Sequence, residues 1–170
     1  MANDEITGVK IVVIGGGTGS FTLLQGVKRY VKHVTALVNM ADDGGSTGQL
    51  RDELGVLPPG DVRQCLVALS DSPKVRDLFN YRFDEGSLKG HAFGNLFLTA
   101  LEKMTGNFGE AVELAGRVLN IEGRVEPVTL SDVTLCVEGV DGHPVKGQFT
   151  IAHQEIAKRP KIWLEPTAVA

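Results

Sequence analysis

Four short stretches of this chain carry residue types that can do chemistry together. The first is "GGGTGS", Gly15 to Ser20, between an apolar run and an amphipathic one. Unhindered backbone amides at the start of a helix form a seat for an anion, so Gly15, Gly16, Gly17, Thr18 and Gly19 are candidates to hold a phosphate. The loop approaches the dinucleotide fingerprint GxGxxG but has Ser20 at the last glycine, and no Gly-Lys-Ser/Thr follows as in a Walker loop. The second stretch is "NMADDGGSTGQLR", Asn39 to Arg51, with adjacent carboxylates at Asp42 and Asp43 followed by Gly44, Gly45 and Ser46. Two carboxylates beside a phosphate loop suit Mg²⁺, a hard cation that prefers oxygen ligands. The third, "PPGDVRQ", sets Asp61 at a helix start as an N-cap and Arg63 in the first turn, where a guanidinium can meet a phosphate. The fourth, "GHAFGN", spaces His91 and Asn95 four apart at a helix start, on one face, where the imidazole can donate to a phosphate or act as acid or base.

Each stretch also has a plainer reading. A glycine turn between strand and helix need bind nothing, Asp-Gly pairs form turns, and an Asp and an Arg in a first helical turn are an ordinary cap and a surface cation. What favours chemistry is that four such stretches occur in one short chain. Two functional classes stay open on these residues. One is a binding protein for a phosphorylated metabolite. The other is a Mg²⁺-dependent transferase in which Asp42 and Asp43 hold the metal and His91 assists. An NAD-type oxidoreductase fits less well, because Asn39 stands where the ribose-binding acid belongs at the end of the second strand. There is no GxSxG elbow, no HExxH and no paired-cysteine site; Cys65 and Cys136 sit in apolar patterns as expected of buried thiols.

The elements that must position these groups follow from periodicity. "KIVVI" (Lys10–Ile14) and "VTALVN" (Val34–Asn39) read as strands of a parallel sheet. Phe21, Leu24, Val27 and Val31 recur at helical spacing between them, making a βαβ unit. A right-handed crossover then brings the Gly15–Thr18 and Asn39–Gly48 loops to one carboxyl edge. Helices are expected over Ser46–Gly55, from Asp61 to Asp71, over Ser72–Phe83, Gly90–Gly106 and Asn107–Asn120. The stretch from Val125 to Ile156, with Asp141–Gly142 as a turn signal, and "KIWLEP" (Lys161–Pro166) read as antiparallel β. The expectation is one α/β domain over residues 1–170: a Rossmann-like core at 8–124 and a β-rich segment at 125–166. Only two runs read as parallel core strands, few for so many helices, so the chain is expected to be part of a larger α/β domain.

The 170 residues carry a formal charge of −4, with no basic block interleaved with aromatics, which argues against a nucleic-acid partner. No apolar run approaches the ~20 residues that span a bilayer, and "MANDEITGVK" lacks the pattern of a signal peptide, so a cytoplasmic protein is expected.

Together, "VIGGGTGS", "ADDGGSTGQLRDELGVLPPGDVRQ", "LKGHAFGNL" and "RVLNIEGRVEPVT" resemble, in the same order, the N-terminal half of the YvcK-like gluconeogenesis factors, which share a superfamily with the CofD-type 2-phospho-L-lactate transferases. The resemblance runs from Lys10 to about Pro166, and the "DDGGSTG" loop is similar to the YvcK-like branch rather than the transferases. It implies a Rossmann-like fold and a cytoplasmic regulator that binds a nucleotide sugar such as UDP-N-acetylglucosamine, linked to carbon metabolism, cell shape and cell-wall synthesis. The alternative it implies is a phospholactyl-type transferase. Family members are about twice this length, and an edge left open by the missing half is a route to a homo-oligomer.

Overall fold

Lys10–Gly15 (β1) and His33–Val38 (β2) pair in parallel, in register Lys10↔His33 to Gly15↔Val38. They belong to the computed structural model of the chain, which describes residues 8–168 and, within the helix over Gly45–Leu54, leaves the side chains of Gly45 and Ser46 undescribed. Gly17–Val27 (α1) joins the two strands. A third strand, Arg124–Pro127 (β3), lies parallel to β2, giving the order β1-β2-β3. The expected antiparallel tail thus begins later: residues 124–127 extend the Rossmann-like sheet. Four residues with a single buried apolar position, Val125, are too short a run to reveal a strand by pattern.

Between β2 and β3 run five helices: Gly45–Leu54 (α2), Gly60–Leu69 (α3), Pro73–Asn80 (α4), Phe93–Thr105 (α5) and Phe108–Val118 (α6). Their ends obey local rules. Gly55 and Gly106 stop α2 and α5 in the left-handed region, at φ 62° and 70°. Ser72 and Asn107 accept from the amides of Val75 and Glu110 at the starts of α4 and α6. Two expectations change. α2 opens on Gly44 and α3 on Pro59, neither with a side-chain cap, so Asp61 is released from capping. α5 begins at Phe93 rather than Gly90, which leaves His91 in the preceding loop.

Helix α3 is the centre of the core. Val62, Leu66, Val67 and Ala68 are fully buried, and Val34, Ala36 and Val38 of β2 belong to the same cluster. Each buried branched side chain contributes about 1.5–3 kcal/mol relative to exposure. Lys28, after α1, donates to the carbonyl of Ser70 and to Asp71, both at 2.8 Å, placing a cation at the carboxyl end of α3. Phe79 meets Phe93 and Phe97 edge-on, with ring centroids 5.7 and 5.1 Å apart, which locks α4 against α5.

The remaining residues form a second sheet. Thr134–Glu138 (β4) pairs antiparallel with Pro144–Lys146 (β5) and Ile162–Glu165 (β6), in the order β5-β4-β6. The turn at Asp141–Gly142 is as expected: Gly142 donates to the carbonyl of Gly139. Gln148–Ile151 (α7) is a helical turn where the sequence suggested strand.

Candidate functional site

The glycine turn and the loop after β2 meet at the carboxyl edge of the sheet, where the amide of Asn39 donates to the carbonyl of Gly15 at 3.0 Å. Gly17, at φ 65°, turns the chain into α1. A third segment enters this corner. The Asp61 carboxylate lies against the turn and accepts from the amide of Gly17. A Cβ added to Gly16 would fall 2.0 Å from Asp61 Oδ2. Gly16 is extended, at φ −161°, so it is required by close approach rather than by backbone strain. The anion seat at the start of α1 is therefore filled by a carboxylate from the start of α3.

Asp42 approaches from the other side of Gly60. Its Oδ1 accepts from the amide of Gly44 at 3.1 Å, while its Oδ2 and Thr47 Oγ1 lie 2.9 and 2.5 Å from where a Gly60 Cβ would be. Burial raises the Asp61 carboxyl above the ordinary range; the nearby Asp42 charge raises it further, while the Gly17 amide and Arg63 oppose both. Two carboxylates at a glycine turn form a donor set for a hard cation. Mg²⁺ is commonly held by one or two carboxylates, with water and substrate phosphate supplying the rest. Among the described residues no group of three or more acidic, histidine or cysteine side chains gathers; Asp42 and Asp61 are near enough for the charge of one to raise the carboxyl of the other.

Asp43 has a different place. Its Oδ1 accepts from the amide of Phe149 at 2.8 Å, and its Oδ2 lies beside Gly147. It caps α7 and joins the site loop to the second sheet. The adjacency of Asp42 and Asp43 in sequence is undone by the backbone, which sends the two side chains to different partners. Asn39 is exposed and its side chain accepts from Ala41, shaping the loop. Gly45 and Ser46 open α2, and Thr18 and Gly19 are exposed in the first turn of α1.

Arg63, one turn into α3, is buried and donates from Nε to Asn95 Oδ1 at 2.9 Å and from Nη1 to Asn80 Oδ1. Burial lowers its pKa, the Arg82 guanidinium lowers it further and Asp61 counteracts both. This is a buried cation held by neutral amides. Gly94 makes room for it: a Cβ there would lie 2.7 Å from Arg63 Cδ and 2.8 Å from the carbonyl of Phe79. His91 is buried nearby in sequence, its amide donating to Leu88, and its Nδ1 has no hydrogen-bond partner among the described residues. Arg63 and Asn95, paired by neither spacing nor segment in the sequence, are thus in direct contact. Asn80 and Arg82 were missed; a polar pair following an aromatic helix end gives no pattern by itself.

The fold is that of a Rossmann-like α/β protein, and the chain belongs to the CofD family: residues 11–170 match the family described as 2-phospho-L-lactate transferase CofD. Within it, the similarity is to gluconeogenesis factors. The gluconeogenesis factor of Bacillus subtilis (strain 168) is 47% identical over 163 residues, covering 94% of this chain and 51% of that protein. A relative from Nostoc sp. (strain PCC 7120) is 56% identical over 146 residues, 85% of this chain and 32% of that protein. A crystal structure of a Bacillus halodurans protein, 45% identical, superposes with a TM-score of 0.85 over 92% of this chain and 51% of that one. The chain thus spans a third to a half of the length of these relatives. No helix among the described residues is long and apolar enough to cross a membrane.

Proposed function

We propose that this chain supplies the phosphate-binding wall of a regulator that binds a nucleotide sugar of the UDP-N-acetylglucosamine kind, acting in the cytoplasm in carbon metabolism, cell shape and cell-wall synthesis. The reading rests on the convergence at one sheet edge of the Gly15–Gly19 turn, the Asn39–Ser46 loop and the start of α3. The α1 amides would serve the diphosphate once it displaces the Asp61 carboxylate from them, with Arg63 behind the turn held by Asn80 and Asn95, and Asn39 would meet the ribose or sugar hydroxyls. His91 Nδ1 is buried and unpaired, an expensive state that a ligand hydroxyl would relieve. Cys65 is not an activated nucleophile: it is buried and its thiol is pushed up to about 12 by burial and the Asp61 charge.

One observation favours a second reading. Asp61 and Asp42 face each other's charge at the glycine turn, which suits a Mg²⁺-dependent transfer of a phosphate-bearing group to an alcohol, in which neutralising charge does most of the work. The metal would offset the carboxylate pair and admit a phosphate to the seat Asp61 now fills. Calorimetric titration with UDP-N-acetylglucosamine, GDP and GTP, each with and without Mg²⁺, separates the two on this chain and on the Bacillus subtilis relative. Uridine-sugar binding independent of Mg²⁺ supports the regulator. Guanosine binding that demands Mg²⁺ supports the transferase, and no heat with any uridine sugar on the full-length relative removes the first reading.

A further inference from the structure

The linker between α2 and α3, residues 55–59, has no regular structure, yet Val56, Leu57, Pro58 and Pro59 are all buried. A buried chain needs partners for its backbone groups. The two prolines offer no amide, and the amide of Gly55 closes α2 against the carbonyl of Arg51. A further tie comes from a helix distant in sequence. Near the end of α5 the half-buried Glu102 carboxylate straddles the Leu57 amide, accepting from it at 3.3 and 3.2 Å through its two oxygens. Its neighbour Lys103 donates from Nζ to the carbonyl of Leu54, the last residue of α2. Burial raises the Glu102 carboxyl, while the Leu57 amide and the Lys103 ammonium oppose this by favouring the charged form.

Helix α5 grips α3 a second time. About two turns earlier on α5, Asn95 accepts from Arg63 Nε at 2.9 Å. Asp61 therefore lies between two anchored residues, after Leu57 and before Arg63. Pro58 and Pro59 stiffen the first span, since proline fixes its own φ and confines the residue before it to extended backbone. A displacement at Leu57 is thus passed on to Gly60 rather than absorbed. Gly60 has little slack of its own: a Cβ there would lie 2.5 Å from Thr47 Oγ1 and 2.9 Å from Asp42 Oδ2. The support is firm, because Leu98 and Leu101 of α5 sit in the core cluster and Phe93 and Phe97 pack on Phe79.

We propose that Glu102 is a positioning residue for the glycine-turn corner. By holding Leu57 it sets the start of α3 where the Asp61 carboxylate reaches the amide of Gly17. Its bearing on a ligand rests on the nucleotide-sugar reading above, in which a diphosphate displaces that carboxylate: Glu102 then sets how firmly the occupant of the anion seat is held. The positioning itself exists without ligand and is measured without one.

The measurement is amide exchange of Gly17, by NMR, on the ligand-free chain. The first amides of a helix lack intrahelical partners, so the protection of Gly17, the first residue of α1, reports the Asp61 contact directly. Glu102→Ala, and Glu102→Asp, which keeps the charge but falls one methylene short of Leu57, should each speed that exchange about tenfold or more, as for loss of a hydrogen bond to a charged group. Glu102→Gln keeps an acceptor at full reach and should stay within about threefold of the parent. In an Asp61→Ala background, Glu102→Ala should add nothing. Ser72→Ala weakens the fold at the α4 cap and should leave Gly17 unchanged. Should Glu102→Ala not fold, Glu102→Asp and Glu102→Gln carry the test. Gly17 exchange indifferent to Glu102→Asp, Glu102→Gln as fast as Glu102→Asp, equal acceleration by Ser72→Ala, or further acceleration by Glu102→Ala in the absence of Asp61 would each overturn the proposal. A chain that binds no uridine sugar bears on the function proposed above and not on this contact.

Discussion

Replacing Gly16 with alanine isolates the contact that defines the site. The new methyl would stand 2.0 Å from Asp61 Oδ2 and 2.7 Å from its Cγ, whereas real Cβ contacts essentially never fall under 3.0 Å. The carboxylate must therefore move by about 1 Å or more, enough to break its bond to the Gly17 amide. Hydrogen bonds to charged groups contribute about 1.5–3 kcal/mol. Alanine is otherwise welcome at φ −161° and restricts the unfolded chain, which returns about 0.4–1 kcal/mol. Gly16→Ala should thus destabilise by about 1–2 kcal/mol, within the usual ~1–3 kcal/mol for overpacking. Asp61→Ala alone removes a bond but also a carboxylate that burial disfavours, and should stay within about 1 kcal/mol of the parent. The double variant keeps only a 3.1 Å approach to Asp61 Cβ, which a small shift absorbs. Urea unfolding of all four proteins should give a coupling of about 1–2 kcal/mol, since neighbours in contact commonly show ~0.5–3 kcal/mol. Additivity to within about 0.5 kcal/mol would refute the claim that Asp61 fills the anion seat.

Four further outcomes follow from the same geometry. The folded-state pKa of Asp61 is raised, so the native state holds its proton more tightly than the unfolded one, and stability falls as pH rises from the ordinary carboxylate range through the raised value. Asp61→Asn should therefore flatten that decline, gaining on the parent towards neutrality; parallel pH slopes in urea melts would rule this out. Asp43→Ala should cost about 1 kcal/mol through loss of the α7 cap yet leave any Mg²⁺ dependence of ligand binding unchanged, whereas Asp42→Asn should weaken that dependence, as read by calorimetry. Gly94→Ala should destabilise by about 1–3 kcal/mol or more, because rigid backbone at Phe79 and the buried Arg63 stem both lie in the way; an unchanged melting temperature would contradict it. Cys65, with its thiol pushed up to about 12, should resist iodoacetamide at pH 8 in the native protein and react once urea unfolds it.

Features carried by local chemistry were legible in the sequence. Two continuous apolar runs and a period-3.6 pattern between them marked β1, α1 and β2, since strands of a parallel sheet are apolar along their length and a surface helix along one stripe. The glycine turn and the loop after β2 fell to one edge because two strands joined by a helical crossover run parallel and end on the same side of the sheet. The helix starts at Ser72 and Asn107 and the turn at Asp141–Gly142 were visible for the same reason, each resting on interactions within a few residues, whereas the cap expected at Asp61 was not formed. Four loops of suggestive composition could be named as candidates for a site.

Which side chains share that site was decided by the tertiary fold. Asp42 and Asp43 are neighbours in sequence, yet one turns to Gly60 and the other to Phe149, because successive side chains diverge and each carboxylate follows its own amide donor. Asp61 reaches the glycine turn only because α3 packs beside α1, and Arg63 meets Asn80 and Asn95 only because aromatic contacts hold α4 against α5. The third strand, β3, likewise gains its identity from β2 rather than from its own four residues. Backbone propensity acts over a few residues and leaves its trace in the sequence. Packing joins residues tens of positions apart, and it set both the carboxylate at the anion seat and the cation buried behind it.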